Sequence, residues 1–167
     1  MPYRNKTYVC FDGDSDMKYY NLMRAWKQND NTDFNFYNAH DLNTARDTSQ
    51  EASIKRQLKT RLLNSKIFVV LLGEHTKYLT KFVKWEMEQA IALELPIIVV
   101  NINGAREVDD ERFPSALRRY PTVSISFNAR IMQYALERWA ESHRRHLSNG
   151  ENNAYCYVKN VYEALGL

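Results

Sequence analysis

Lys66-Ile67-Phe68-Val69-Val70-Leu71-Leu72-Gly73 is the stretch on which the fold turns. After Lys66 the run holds no polar side chain until Gly73 ends it. A strand with one wet face alternates apolar and polar residues; a continuous apolar run belongs to a sheet covered on both faces. Pro96 introduces a second run of the same kind, Ile97-Ile98-Val99-Val100. Between the two, residues from about Lys81 to Glu94 carry Val83, Met87, Ala90 and Ile91 at helical spacing. Strand, helix and strand in that order are the unit of a parallel sheet.

The same alternation extends outward in both directions. Toward the N-terminus, Thr7 to Phe11 form an apolar strand stopped by Asp12-Gly13-Asp14. A helix over Met17–Lys27 follows, with Tyr20, Leu22, Met23 and Trp26 as its apolar residues, and Phe34 and Phe36 mark a second strand. Residues Asn38 to Gln50 are polar apart from Leu42, and a loop of that length in a compact domain is a place to look for function. Thr48-Ser49-Gln50-Glu51 has capping-box spacing, and the helix it opens places Ile54, Leu58 and Leu62 on one face. Toward the C-terminus, a loop from Asn101 to Pro114 leads to a fifth strand, Thr122–Phe127, and a helix from about Arg130 to His146. A turn at Ser148-Asn149-Gly150 then introduces a last helix, with Tyr155, Val158, Val161, Tyr162 and Leu165 packing on the domain. The expectation is one α/β domain over residues 1–167: a flavodoxin-like, three-layer fold with a central five-stranded parallel sheet and an extra C-terminal helix.

Composition narrows the function classes. The 167 residues are 44% hydrophobic with a formal charge of +3, which suits a full core and calls for neither nucleic acid nor a membrane as partner. The N-terminus lacks the apolar stretch of a signal peptide, and no run reaches the roughly 20 residues of a membrane span, so a soluble cytoplasmic protein is expected. Cys10 and Cys156 read as packing residues, and no Cys/His cluster suggests a metal. Asp12, Asp14 and Asp16 stand at alternate positions, but a calcium loop then needs Gly and a later Glu where Met17 and Met23 stand. The three acids instead belong to the start of the first helix, with Ser15 or Asp16 as its N-cap. A phosphate-accepting receiver domain needs Asp at the end of the third strand, where the chain reads Leu72-Gly73-Glu74-His75. A Rossmann turn needs several glycines where Phe11-Asp12-Gly13-Asp14 offers one.

Ligands of open parallel sheets sit beyond the carboxyl ends of the strands, where strand order reverses. Here that lies between the first and third strands. The loop after Phe11 brings Asp12, Asp14 and Asp16; the segment after Leu72 brings Glu74, His75, Tyr78, Lys81, Lys84, Trp85 and Glu86. Asn38 and Asp41 leave the second strand and shape the rim. Glu86 lies beside the buried stripe of Val83, Met87 and Ala90, in the first turns of the third helix. Spacing alone leaves it open whether this carboxylate merely complements the helix dipole or belongs to a site.

With Phe11-Asp12, Ala39-His40-Asp41-Leu42, Phe82-Val83-Lys84-Trp85-Glu86 and Pro96-Ile97-Ile98-Val99-Val100 in view, the chain resembles a TIR-like domain. It is similar in particular to the bacterial TIR-like proteins of Thoeris anti-phage defence, which make a nucleotide signal from NAD. The resemblance extends over nearly the whole chain. An aromatic followed by Glu at this helix start is the family's catalytic signature, so the resemblance implies that Glu86 is the catalytic glutamate. It also implies cleavage of the nicotinamide–ribose bond of NAD, with NAD as substrate and no further cofactor. The product would be a signalling nucleotide, cyclic or conjugated, sensed by a separate effector protein. A homo-oligomer and a phage-derived activator are partners of the kind expected. Phe11, Tyr78 and Trp85 are candidates to stack the bases, Arg46, Lys81 and Lys84 to meet the pyrophosphate, and Asp12, Asn38 and Asp41 to line the rim. The alternative within the same family is an adaptor that assembles through surface loops, with Glu86 incidental and the Asn38–Gln50 loop an interface. One departure from animal-type TIR domains is visible: the first strand ends in Phe11-Asp12-Gly13-Asp14, where those domains have a Ser-Tyr or Ser-His type of ending.

Overall fold

The structure is a computed structural model and describes residues 6–28, 36–38 and 51–167. β1 (Thr7–Cys10), β3 (Ile67–Leu72), β4 (Ile97–Asn101) and β5 (Thr122–Ser126) are buried at every residue, which is why their sequences run apolar without alternation. With β2 (Phe36–Asn38) and β6 (Ala154–Cys156) they form an all-parallel sheet in the order β2-β1-β3-β4-β5-β6. The flavodoxin-like order is therefore present, and the reversal falls between β1 and β3 as expected.

Five helices among the described residues flank the sheet: α1 (Met17–Gln28), α2 (Glu51–Leu63), α3 (Val83–Ala92), α4 (Ala129–Ser148) and α5 (Lys159–Ala164). Successive strand residues point to opposite faces and build two cores. On one, Tyr8, Phe68, Val70, Leu72 and Val99 meet Ile54, Leu58 and Leu62 of α2 and Val83, Met87 and Ala90 of α3. On the other, Val9, Val69, Leu71, Val100 and Ile125 meet Tyr20 and Met23 of α1, Met132, Leu136 and Trp139 of α4, and Tyr162 of α5. This is the three-layer arrangement the alternating pattern implies.

Two expectations need correction, and one choice between alternatives is decided. Leu22 does not join the inward face of α1 and is 49% exposed, because Tyr20 and Met23 already fill the space over the sheet. The N-cap position of α1 falls to Asp16, whose backbone carbonyl accepts from the Tyr20 amide, but the side chain that organises the turn is that of Asp12. The segment expected as one C-terminal helix divides: Tyr155 lies in β6, which pairs Thr122 with Ala154, and only Lys159–Ala164 is helical. An open β5 edge offers hydrogen bonds that a longer helix there would forfeit. The capping box Thr48–Glu51 and the loop Asn38–Gln50 lie outside the described residues, apart from the backbone of Asn38 and residue Glu51.

Candidate functional site

Two features adjoin β1 and β3, the first of them at their carboxyl edge. The first is a corner between β1 and α1. The Asp12 carboxylate accepts from the Asp14 amide at 3.0 Å and the Ser15 amide at 3.3 Å, closing a turn that aims Asp16 back over the sheet. Asp16 is 5% exposed and one carboxylate oxygen, Oδ2, has no hydrogen-bond partner among the described residues. Burial and the neighbouring Asp12 push its carboxyl above the usual range, against the opposing pull of His75, Arg112 and Lys18. It fits only because Gly73 ends β3: a Cβ there would stand 2.2 Å from Asp16 Oδ2. A cleft of about 350 Å³ opens beside it, lined by Ser15, Asp16, Lys18 and Tyr19 from the β1–α1 corner, Glu74 and His75 after β3, Ile102 and Asn103 after β4, and Arg112. The loops after β1 and β3 thus share a hollow, as the strand order implies. Of the acids and bases named for it from sequence, Asp16, Glu74 and His75 line this cleft.

The second feature is Glu86. It lies in the first turn of α3, where its amide donates to Phe82 O at 2.7 Å, and it is 1% exposed. The Tyr8 hydroxyl, from β1, donates to Glu86 Oε2 at 2.9 Å. The Tyr8 ring is wholly buried and stacked on Phe68, its register partner on β3, with centroids 5.4 Å apart. Burial, followed by the charge of Glu86, pushes the Tyr8 phenol well above its ordinary value, so it stays protonated and acts as a donor. A helix-starting carboxylate usually faces solvent; this one is removed from water and held by a buried phenol.

Around it, Lys55 sets its ammonium 5.4 Å from the Trp85 ring centroid, and Lys81 lies 5.4 Å from that of Phe82. Glu51 ties both lysines, at 2.7 Å to Lys55 and 3.7 Å to Lys81. Trp85 is half-buried beside the core that holds Tyr8. Tyr78 is 67% exposed, on a short turn of 3-10 helix, Thr76–Tyr78. Phe11 stacks on Tyr20 at 4.9 Å within the opposite core, the packing role of an aromatic at a strand end. Asp12 is engaged by its own turn, and Lys84 reaches Glu88 at 3.9 Å on the exposed side of α3. Asn38 ends β2, while Asp41 and Arg46 lie outside the described residues.

The contact of Tyr8 with Glu86 is not legible in the sequence, since an aromatic inside an apolar strand reads as core and its partner stands 78 residues away. Arg112 and Asn103 were missed because nothing in a loop of ordinary composition marks which residues turn back over the sheet.

A family model described as the TIR-like domain of the Thoeris protein ThsB matches residues 8–107. The match begins at Tyr8, runs through Glu86 and ends beyond β4, so it contains Tyr8, Glu86 and the cleft residues other than Arg112. The chain therefore belongs to the ThsB family of TIR-like domains, a membership that implies a part in Thoeris anti-phage defence alongside other defence proteins.

Proposed function

We propose that the protein cleaves the bond between nicotinamide and ribose in NAD, with Glu86 as the catalytic carboxylate, and passes the ADP-ribosyl group into a cyclic or conjugated signalling nucleotide. The observation that carries this reading is a glutamate in the first turn of α3, within the matched region, that is 1% exposed and hydrogen-bonded by Tyr8. Rupture of a glycosidic bond passes through an oxocarbenium-like transition state. Nicotinamide leaves as a neutral molecule, so no general acid is needed. What the reaction does need is fixed negative charge beside the anomeric carbon as positive charge develops there, and a carboxylate in a poorly solvated setting supplies it.

In this reading Trp85 and Tyr78 are the aromatic surfaces for the bases, Lys81 and Arg46 meet the pyrophosphate, and Asn38 and Asp41 contribute to the rim. The group that reaches the ribosyl cation decides the product: water gives ADP-ribose, an adenine nitrogen of the same molecule a cyclic product, a second small molecule a conjugate. A phage-derived activator and self-assembly turn the enzyme on, and a separate effector reads the product. The test is to incubate the protein with NAD, at high concentration and with lysate of phage-infected cells, and to weigh the products by mass spectrometry. Nicotinamide and an ADP-ribose-derived partner in equal amounts are expected; intact NAD under every condition would refute the reading.

A further inference from the structure

The buried phenol beside Glu86 has the geometry of a tool and not only of filler. Tyr8 is fully enclosed, its ring lies at 10° to Phe68 across the β1–β3 pair, and its hydroxyl meets one named oxygen of the carboxylate. Phenylalanine would fill the same space, stack on Phe68 equally well and spare the burial of a hydroxyl. The hydroxyl therefore costs desolvation that its bond to Glu86 offsets. Both partners come from rigid elements, the middle of a doubly buried strand and the first turn of a helix, so the bond fixes the carboxylate relative to the sheet edge. We propose that Tyr8 is a positioning residue for Glu86: by donating to Oε2 it holds the carboxylate in one orientation, so that its charge faces the sugar as the glycosidic bond breaks.

This inference rests on the reading of Glu86 given above. It assigns Tyr8 no contact with substrate. A group of this kind acts in the transition state, where misdirected charge is felt most, and contributes little to the affinity for ground-state substrate. Its loss lowers kcat and leaves KM in place.

The test compares wild type, Tyr8→Phe, Tyr8→4-aminophenylalanine, Phe68→Leu and Glu86→Gln, all under the activating conditions given above, for nicotinamide release from NAD, with kcat referred to folded protein. Tyr8→Phe should lose roughly 10- to 100-fold in kcat, the scale of one hydrogen bond to a charged group, with KM unchanged. The 4-aminophenylalanine variant retains an N–H donor at the same place and should recover most of that loss. Phe68→Leu damages the packing beneath the same ring but keeps the hydroxyl; it should lower the melting temperature without the selective fall in kcat. If Tyr8→Phe keeps wild-type kcat while Glu86→Gln falls to background, the positioning role is wrong and the reading of Glu86 stands. An amino variant as poor as Tyr8→Phe would overturn the positioning role in the same way. If Glu86→Gln keeps wild-type release, the reading fails and takes the role of Tyr8 with it.

Discussion

Gly73 is where a single atom decides local structure. β3 ends there, and the Asp16 carboxylate lies where its side chain would be, 2.2 Å from an added Cβ. Gly73→Ala should therefore destabilise by about 1–3 kcal/mol, the usual scale of an overpacked interior, read as a drop in the urea midpoint. Asp16→Ala in the same chain should relieve most of that cost, so the two changes should couple strongly in a double-mutant cycle. Additive effects would mean that the clash is absorbed elsewhere. A second residue sets a pH limit. His143 on α4 is fully buried among Tyr120 and Trp139, neither ring nitrogen has a hydrogen-bond partner among the described residues, and burial, aided by His146, lowers its pKa from 6.5 to about 4. The fold holds the neutral ring, so its contribution is complete above pH 6.5 and is lost as pH falls from there toward 4, where only the unfolded chain takes the proton readily. His143→Leu should lose less stability than wild type between pH 7 and pH 5 in urea titrations; parallel curves would show that the ring does not titrate in this way.

At the scale of elements, legibility in sequence followed burial. β3 and β4 are apolar on both faces and announce themselves, and α2 carries Ile54, Leu58 and Leu62 in plain period. α3 proved shorter than expected because Glu94, at φ 53°, and Leu95, whose amide returns to Ala90 O, already turn the chain toward β4. β6 was illegible: two half-buried residues and an exposed one form a strand only because the distant β5 edge is there to receive them, and that pairing leaves no local mark. The tail it belongs to is nonetheless part of the core. Tyr162 is 1% exposed, its hydroxyl accepts from the Ser126 amide at 3.2 Å, and the Arg106 guanidinium covers its ring at 4.6 Å. Tyr162→Ala should cost about 3–5 kcal/mol, as for other large buried aromatics, and truncation at Asn149 should do at least as much. A truncated chain with an unaltered melting temperature would show the tail to be dispensable.

For the molecule as a whole, strand order sets where the cleft opens. Because β1 lies between β2 and β3, the chain leaves β1 and β3 on opposite sides of the sheet, and the edge between them becomes a hollow. The strand pattern was sufficient to locate that edge, whereas Glu86 is not among the residues that line the hollow and was singled out by the motif around Phe82–Glu86 alone. It could not supply Tyr8, whose relation to Glu86 exists only once β1 and α3 are packed together. The ThsB family match spans both residues. The central claim is that one buried carboxylate breaks the nicotinamide–ribose bond, and it is tested most directly by nicotinamide release from NAD by activated wild type and by Glu86→Gln at matched folded concentration. Wild type should release nicotinamide and the variant should fall to background with its melting temperature preserved; equal release by both would contradict the claim.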